Sequence, residues 1–206
     1  MQFIVFEGLD GSGKTTQVSR LKDYFLQRGV ICLCTREPSD SAIGGMARDA
    51  VRGRAPLSPD TLALLFAADR AEHMVKEIKP ALEKGMVVIC DRFVYSNLAY
   101  QGTAIPMQDI VDYNKAALNS RSPDVTFFID TTPEECTRRI IASRAGMDIF
   151  DGIDYAEKIR TQYLQAFSRF EQQMPVVRID GNNSPDEVFD HIITEMEFMQ
   201  IKSIPM

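Results

Sequence analysis

Residues 8 to 15 are the part of the sequence whose residue types and spacing most directly predict chemistry. They read Gly-Leu-Asp-Gly-Ser-Gly-Lys-Thr and fit the pattern G-x-x-x-x-G-K-[ST]. Glycines at this spacing allow a tight turn whose backbone N–H groups point inward and bind phosphate oxygens. Lys14 can reach the outer phosphates of a nucleotide, and the Thr15 hydroxyl can ligate Mg²⁺. A plain glycine turn is the alternative, but it would not require lysine and threonine at these positions.

Charged pairs follow two further apolar runs. Arg36 and Glu37 come after residues 30–34, and Asp91 and Arg92 come after residues 86–90. Ligands bind open parallel sheets outside the carboxyl ends of the strands, so we expect these side chains beside the phosphate-binding loop, residues 8–15. Asp91 suits a second Mg²⁺ contact, and the Arg92 guanidinium can bind another phosphate bidentately. For Arg36 and Glu37, a surface ion pair is the alternative.

Two predicted helices carry side chains suited to a flat, polar ligand. On the helix predicted for residues 60–79, a ring, a guanidinium and an imidazole fall at i, i+4 and i+7: Phe66, Arg70 and His73. On the helix after residue 92, an amide, a phenol and an amide fall at i, i+3 and i+4: Asn97, Tyr100 and Gln101. Such groups can stack on a base and read its edge. The alternatives are a core phenylalanine with a solvated arginine, and a solvated helix face.

The elements that must position these residues alternate along the chain. Apolar runs at residues 3–6, 30–34, 86–90, 125–129 and 176–180 predict five buried strands. Helices are predicted between them, and capping boxes at residues 132–135, 154–157 and 184–187 predict where three of these helices begin. This order predicts the α/β class, with a doubly wound five-stranded parallel sheet flanked by helices.

Composition limits the partners. The chain has 206 residues, of which 45% are hydrophobic, and a formal net charge of −6. One domain over residues 1–206 is expected. An acidic chain without a basic footprint argues against nucleic-acid and membrane-surface binding. The four cysteines lack zinc-site spacing, and no run of 18 apolar residues occurs, so we expect a cytoplasmic protein with free thiols.

Four segments resemble the signatures of the thymidylate kinase family, in the same order along nearly the whole chain. They are FEGLDG at 6–11, TREP at 35–38, FAADR at 66–70 and DRFVYSNLAYQG at 91–102. The resemblance implies the fold of the P-loop nucleoside monophosphate kinases, with a lid at about residues 143–153. It also implies transfer of the terminal phosphate of ATP to dTMP, with Mg²⁺ as cofactor and a homodimer as the assembly.

The resemblance also implies roles for individual residues. The implied ATP-binding residues are Gly8, Leu9, Asp10, Gly11, Ser12, Gly13, Lys14, Thr15 and Thr16. The implied metal-site residues are Thr15 and Asp91. The implied dTMP-binding residues are Arg36, Glu37, Arg48, Phe66, Arg70, Arg92, Ser96, Asn97, Tyr100, Gln101 and Tyr163. Within this set, Phe66 would stack on thymine, Arg70 and Gln101 would bind its edge, and Tyr100 would crowd the 2′ position of the sugar.

The implied catalytic residues are Lys14, Arg92, Asp10, Arg144 and Arg139. Members of the family without a basic residue inside the phosphate-binding loop usually carry a lid resembling Arg-Gly-x-x-Asp-Arg-x-Glu. Here Ile149 replaces the second arginine, which leaves Arg144 and Arg139 as the candidate cations. A kinase for another deoxynucleotide, such as dUMP, is the alternative enzyme. A non-catalytic ATP-binding switch is the alternative from another class.

Overall fold

The computed structural model describes residues 2–143 and 150–199. Its strands are β1 (Phe3–Glu7), β2 (Cys32–Arg36), β3 (Val87–Asp91), β4 (Val125–Asp130) and β5 (Val176–Asp180). The helices of the first half are α1 (Lys14–Gln27), α2 (Ala42–Val51), α3 (Pro59–His73), a π-helix (Met74–Ile78), α4 (Lys79–Glu83) and α5 (Val94–Gln101). The remaining helices are α6 (Met107–Tyr113), α7 (Lys115–Ser120), α8 (Pro133–Ser143), α9 (Phe150–Phe170) and α10 (Pro185–Phe198).

The described strands form one parallel sheet in the order β2-β3-β1-β4-β5. This arrangement confirms the predicted doubly wound α/β fold. The register pairs Phe6 of β1 with Asp91 of β3, and Asp91 with Arg36 of β2. The carboxyl ends of these three strands therefore lie side by side, and they bring the phosphate-binding loop and the two charged pairs to one edge of the sheet.

Helices cover both faces of the sheet, as the continuous apolar strands predict. Along β1, Phe3 and Val5 pack into one hydrophobic cluster, whereas Ile4 and Phe6 pack into the cluster on the opposite face. All four side chains are buried. Two cores on either side of β1 and β3 therefore fix the strand ends from which the site is built.

Three sequence predictions about the elements were wrong in detail. β2 begins two residues later than predicted, and because it is an edge strand it is half-buried rather than buried. The helix predicted for residues 60–79 ends as an α-helix at His73 and continues as the π-helix. α9 begins at Phe150, so the capping box predicted at residues 154–157 lies inside the helix rather than at its start. The capping box of α10 at Ser184 and Glu187 is confirmed.

The predicted lid at residues 143–153 lies only partly within the structure, and Arg144 and Ile149 lie outside the described residues. Of the predicted lid, the first turn of α9 is described. Among the helices of residues 2–143 and 150–199, none combines the length and apolarity needed to cross a bilayer.

Candidate active site

The phosphate-binding loop connects the end of β1 to the first residue of α1, as its sequence pattern predicts. Gly8, Gly11 and Gly13 all have positive φ angles, of 150°, 81° and 101°. A Cβ on Gly11 would lie 2.6 Å from the carbonyl oxygen of Cys136, and one on Gly8 would lie 2.8 Å from that of Ile129. The loop thus requires glycine for both its backbone conformation and its close contact with neighbouring backbone.

Lys14 lies at the start of α1 and is almost fully buried. Its Nζ donates to the carbonyl oxygens of Gly8 and Leu9 at 3.0 and 2.7 Å. Burial, together with the charge of Arg92, lowers the pKa of Lys14 to about 8, against the raising effect of nearby carboxylates. The lysine is therefore held inside the loop, where the negative charge of a phosphate would favour its ammonium form.

Thr15 and Asp91 form the part of the site that fits a hydrated Mg²⁺. The Thr15 hydroxyl donates to Asp91 Oδ2 at 3.0 Å across the gap between α1 and the end of β3. Asp91 Oδ1 is buried and has no hydrogen-bond partner among the described residues. A buried carboxylate oxygen without a donor suits a cation or its water ligands, and Mg²⁺ prefers oxygen ligands of this kind.

Arg92 connects the phosphate-binding loop to α5 and α9. Its Nη2 donates to Asp10 Oδ1 at 2.6 Å and to the Tyr100 hydroxyl at 3.4 Å. Its Nη1 donates to the hydroxyls of Ser96 and Tyr163 at 2.9 and 3.2 Å. The guanidinium is thus held from several sides, and the structure brings these five predicted site residues into contact.

Glu7 is a residue that the sequence reasoning did not assign to the site. Its side chain is fully buried, and Oε1 accepts from the backbone N–H groups of Phe93 and Ser96 at 2.8 and 3.0 Å. Oε2 accepts from the Ser96 and Tyr163 hydroxyls at 2.6 and 2.8 Å. Burial raises the pKa of Glu7, against the opposing charge of Arg92 and these hydrogen bonds. The sequence could have indicated Glu7, because it is a carboxylate at the end of an apolar strand.

A cavity of about 200 Å³ opens between α2, α3 and α5. Its lining residues are Asp10, Glu37, Pro38, Arg48, Val51, Arg52, Phe66, Arg70, Arg92, Ser96, Asn97, Tyr100 and Gln101. The cavity is lined by Phe66 and Arg70 of α3 and by Asn97, Tyr100 and Gln101 of α5, whereas His73, from the same predicted helix face as Phe66, is buried outside the lining. Val51 at the end of α2 and Arg52 directly after it also line the cavity, although the sequence assigned neither to the site.

Arg70 forms the polar floor of this cavity. Its Nη2 lies 2.7 Å from Glu37 Oε2 as an ion pair and donates to the Phe93 carbonyl at 3.0 Å. Glu37 Oε1 in turn lies 3.2 Å from Nδ1 of His73, whose Nε2 is 2.7 Å from the Thr35 hydroxyl. Burial opposes protonation of His73, but the hydrogen bond and charge of Glu37, with Glu77 and Asp69, outweigh it and raise the pKa.

The remaining predicted substrate residues occupy three different positions. Arg36 is mostly exposed and pairs with Asp40 at 3.1 Å. Arg48 donates to the carbonyl oxygens of Pro38, at 3.0 Å, and Ser39, and it lines the cavity. Tyr163 is fully buried beneath Arg92 and lies outside the cavity lining. We infer that Tyr163 acts on the pocket through Arg92.

A second cavity of about 450 Å³ surrounds the phosphate-binding loop. Its lining residues are Asp10, Gly11, Gly13, Lys14, Thr15, Thr16, Arg36, Glu37, Asp91, Arg92 and Arg139. Gly8, Leu9 and Ser12, also predicted to bind ATP, are not among these lining residues. Arg139 donates to the carbonyl oxygens of Ser12 and Gly181 at 3.2 and 2.9 Å, so this candidate cation reaches the loop from α8. Asp10, Glu37 and Arg92 line both cavities, which therefore meet at these three side chains.

The comparison with known proteins agrees with this geometry. The family "Thymidylate kinase" matches residues 6–192. A protein of Pyrococcus abyssi named "Probable thymidylate kinase" is 40% identical over 198 residues, which cover 93% of each chain. A protein named "Thymidylate kinase" from Synechococcus is 40% identical over 90% of this chain and 89% of its own length. One of the same name from Clostridium novyi is 33% identical over 92% of this chain and 95% of its own length. With the phosphate-binding loop and the adjoining base-sized cavity in place, these matches show that the chain belongs to the thymidylate kinase family.

Proposed function

We propose that this protein is a dTMP kinase that transfers the terminal phosphate of ATP to dTMP, giving dTDP and ADP, through a single kinase domain. The observation that carries the proposal is the meeting of two cavities at Arg92. One cavity surrounds a loop built to bind phosphates, and the other offers Phe66 and the polar side chains of α3 and α5. A reaction between a nucleoside triphosphate and a monophosphate needs two such sites with a shared cation between them.

The donor phosphates would bind to the backbone N–H groups of the phosphate-binding loop and to Lys14. Thr15 and Asp91 would hold Mg²⁺ and its water ligands, and this ion, when bound, would neutralise part of the charge on the ATP phosphates. Arg139 lines the donor cavity and donates to the carbonyl oxygens of Ser12 and Gly181, while its Nε pairs with Glu135 Oε1 at 2.7 Å, so it would have to exchange one of these contacts to bind a transferring phosphoryl group. The corresponding role of Arg144 stays a prediction.

The acceptor nucleotide would place its base in the smaller cavity and its phosphate near Arg92. Phe66 offers a ring for stacking, while Arg70 and Gln101 offer donors to the base edge. Tyr100 lies against Arg92, and burial raises the pKa of its hydroxyl to about 12, so it stays a neutral phenol beside the sugar. Asp10 and Glu37 reach the junction of the two cavities, where the acceptor phosphate must sit.

Transfer between two phosphates requires charge compensation rather than a general base. The second pKa of a phosphomonoester is about 6, so the acceptor oxygen is already largely deprotonated near neutral pH. Two unit charges 4 Å apart repel by about 4 kcal/mol at an effective dielectric constant of 20. Lys14, Arg92 and Arg139 would offset this repulsion and hold donor and acceptor in line while charge spreads over the transferred group.

Steady-state ADP release tests the proposal. ATP and Mg²⁺ are supplied with dTMP, dUMP, dCMP, dGMP or thymidine in separate reactions, and kcat/KM is compared. We expect a strong preference for dTMP. Turnover of dUMP or another deoxynucleotide in preference to dTMP would select the alternative kinase. Tight ATP binding without turnover of any monophosphate would select the ATP-binding switch, which needs no acceptor cavity.

The expected homodimer and the cytoplasmic location stay predictions. Sedimentation of the purified protein at several concentrations tests the first, and fractionation of cells that express it tests the second.

A further inference from the structure

Asn114 lies at the junction of α6 and α7, outside the active-site lining, and no sequence pattern pointed to it. Its side chain is fully buried. Nδ2 donates to the carbonyl oxygen of Ile110 at 2.7 Å and to Oδ1 of Asn97 at 2.9 Å. Oδ1 accepts from Nη1 of Arg70. Asn114 thus connects one backbone carbonyl and one guanidinium to an amide that lines the acceptor cavity.

These partners determine which end of each amide faces which neighbour. A backbone carbonyl can only accept and a guanidinium can only donate, so the Asn114 amide cannot be reversed without losing both contacts. Its NH₂ group must therefore face Asn97, which presents its oxygen. The Asn97 NH₂ group then faces outward and donates to Oε1 of Gln101 at 3.0 Å. Gln101 is left with its NH₂ group for the cavity.

The result is a cavity to which the Gln101 amide presents a hydrogen-bond donor. Nε2 of Gln101 donates to no other residue in the described part of the chain. Nε of Arg70 is buried and also has no partner within residues 2–143 and 150–199. At position 4 of a pyrimidine, a 4-oxo group offers an acceptor to the Gln101 donor, whereas a 4-amino group would place donor against donor.

We propose that Asn114 is a positioning residue that fixes the polarity of the Asn97 and Gln101 amides, and that it thereby selects 4-oxo over 4-amino pyrimidine nucleotides. This inference rests on the proposed function, since it assigns the origin of base selectivity in the same acceptor cavity. It acts through other side chains, because Asn114 itself does not line the cavity.

Asn114→Asp is the variant that tests this role. The substitution keeps the shape and the acceptor for Arg70 but removes the NH₂ group, so Asn97 turns its own NH₂ group inward and Gln101 turns its oxygen toward the cavity. We expect the ratio of kcat/KM for dTMP to that for dCMP to fall at least about tenfold, the effect of exchanging one favourable hydrogen bond for an unfavourable one. The ratio of dTMP to dUMP should stay within about twofold, because both bases carry the 4-oxo group.

Three further variants separate positioning from structural support. Ile110→Val alters the core of the same helix without changing the amide chain, so it should lower the melting temperature and leave both ratios unchanged. Asn114→Ser removes the fixed polarity with a smaller side chain and should also reduce the dTMP to dCMP ratio. In a Gln101→Ala background, Asn114→Asp should change that ratio less, because only the Asn97 amide is left to transmit the change to the cavity.

The ratio of the kcat/KM values for two substrates is independent of the fraction of folded enzyme, so partial unfolding does not obscure the result. An unchanged dTMP to dCMP ratio in Asn114→Asp would overturn the proposal, as would an equal effect in the Gln101→Ala background. Failure of both Asn114 variants to fold would also overturn it, since Asn114 would then serve only to hold the helix junction. Absence of dTMP turnover in the unmodified enzyme would instead reject the proposed function.

Discussion

The ion pair between Glu37 and Arg70 should behave as one buried electrostatic unit. Both side chains are at most 3% exposed, and Glu37 Oε2 lies 2.7 Å from Arg70 Nη2. At an effective dielectric constant of 20, unit charges at this distance attract by about 6 kcal/mol, part of which only offsets their desolvation. Glu37→Leu leaves the guanidinium buried beside neutral acceptors, so we expect it to cost about 3–5 kcal/mol of unfolding free energy.

The double variant Glu37→Leu with Arg70→Met removes both charges. It should therefore be more stable than the sum of the two single effects predicts, with a coupling of about 2–3 kcal/mol. The measurement is urea unfolding of the four proteins in a double-mutant cycle, with the m-value checked for constancy.

The control is the pair Arg54 and Asp49, whose nitrogen and oxygen are only 2.5 Å apart but whose side chains are 59% and 50% exposed. Alanine substitutions in that pair should show a coupling below about 1 kcal/mol, because water screens it. If the Glu37 and Arg70 effects add within about 0.5 kcal/mol, burial does not strengthen the pair and the reasoning fails.

Three further predictions concern the donor side and pH. Gly11→Ala should weaken ATP binding at least about tenfold in calorimetry, since alanine is strained at φ 81° and its Cβ would meet backbone behind the loop. Asp91→Asn should raise the Mg²⁺ concentration for half-maximal activity about 10- to 100-fold while metal-free nucleotide binding by Thr15 and the loop persists. Protonated His73 should stabilise the folded protein fully at pH values below its ordinary pKa of 6.5, and this stabilisation should be lost as the pH rises through its raised pKa. His73→Gln should therefore flatten the dependence of the urea unfolding midpoint on pH over that range, with variants of Glu37 as controls.

Strands β1, β3 and β4 were predictable from the sequence because each is a mainly apolar run. Such runs occur where both faces of a parallel sheet are covered, as they are along β1, β3 and β4. The start of α9 was not predictable in the same way. The residue types at 154–157 fit a capping box, but these residues lie inside α9. The helix is stabilised by tertiary packing of apolar residues such as Ile159 and Tyr163.

The site was predictable where a local motif dictates geometry. The loop from Gly8 to Thr15 places its own N–H groups, and strand ends place Asp91 and Arg92. Contacts between distant elements were not predictable: Glu7 and Tyr163 are 156 positions apart and meet at 2.8 Å. No spacing rule connects such pairs, because they meet through tertiary packing, here that of α9 against α5 and of Tyr163 against Phe128 of β4.

The backbone at Arg92 indicates that chemistry, more than folding, determines the residue at the junction of the two cavities. Its φ of 75° is positive, a conformation that costs an L side chain about 1–2 kcal/mol and costs glycine little. Stability alone would therefore favour glycine there. Arginine instead directs donors toward Asp10, Ser96, Tyr100 and Tyr163 from a single position. Under the proposed function, a strained residue that is held from several sides and shared by both cavities suits the central cation of a transfer between two anions.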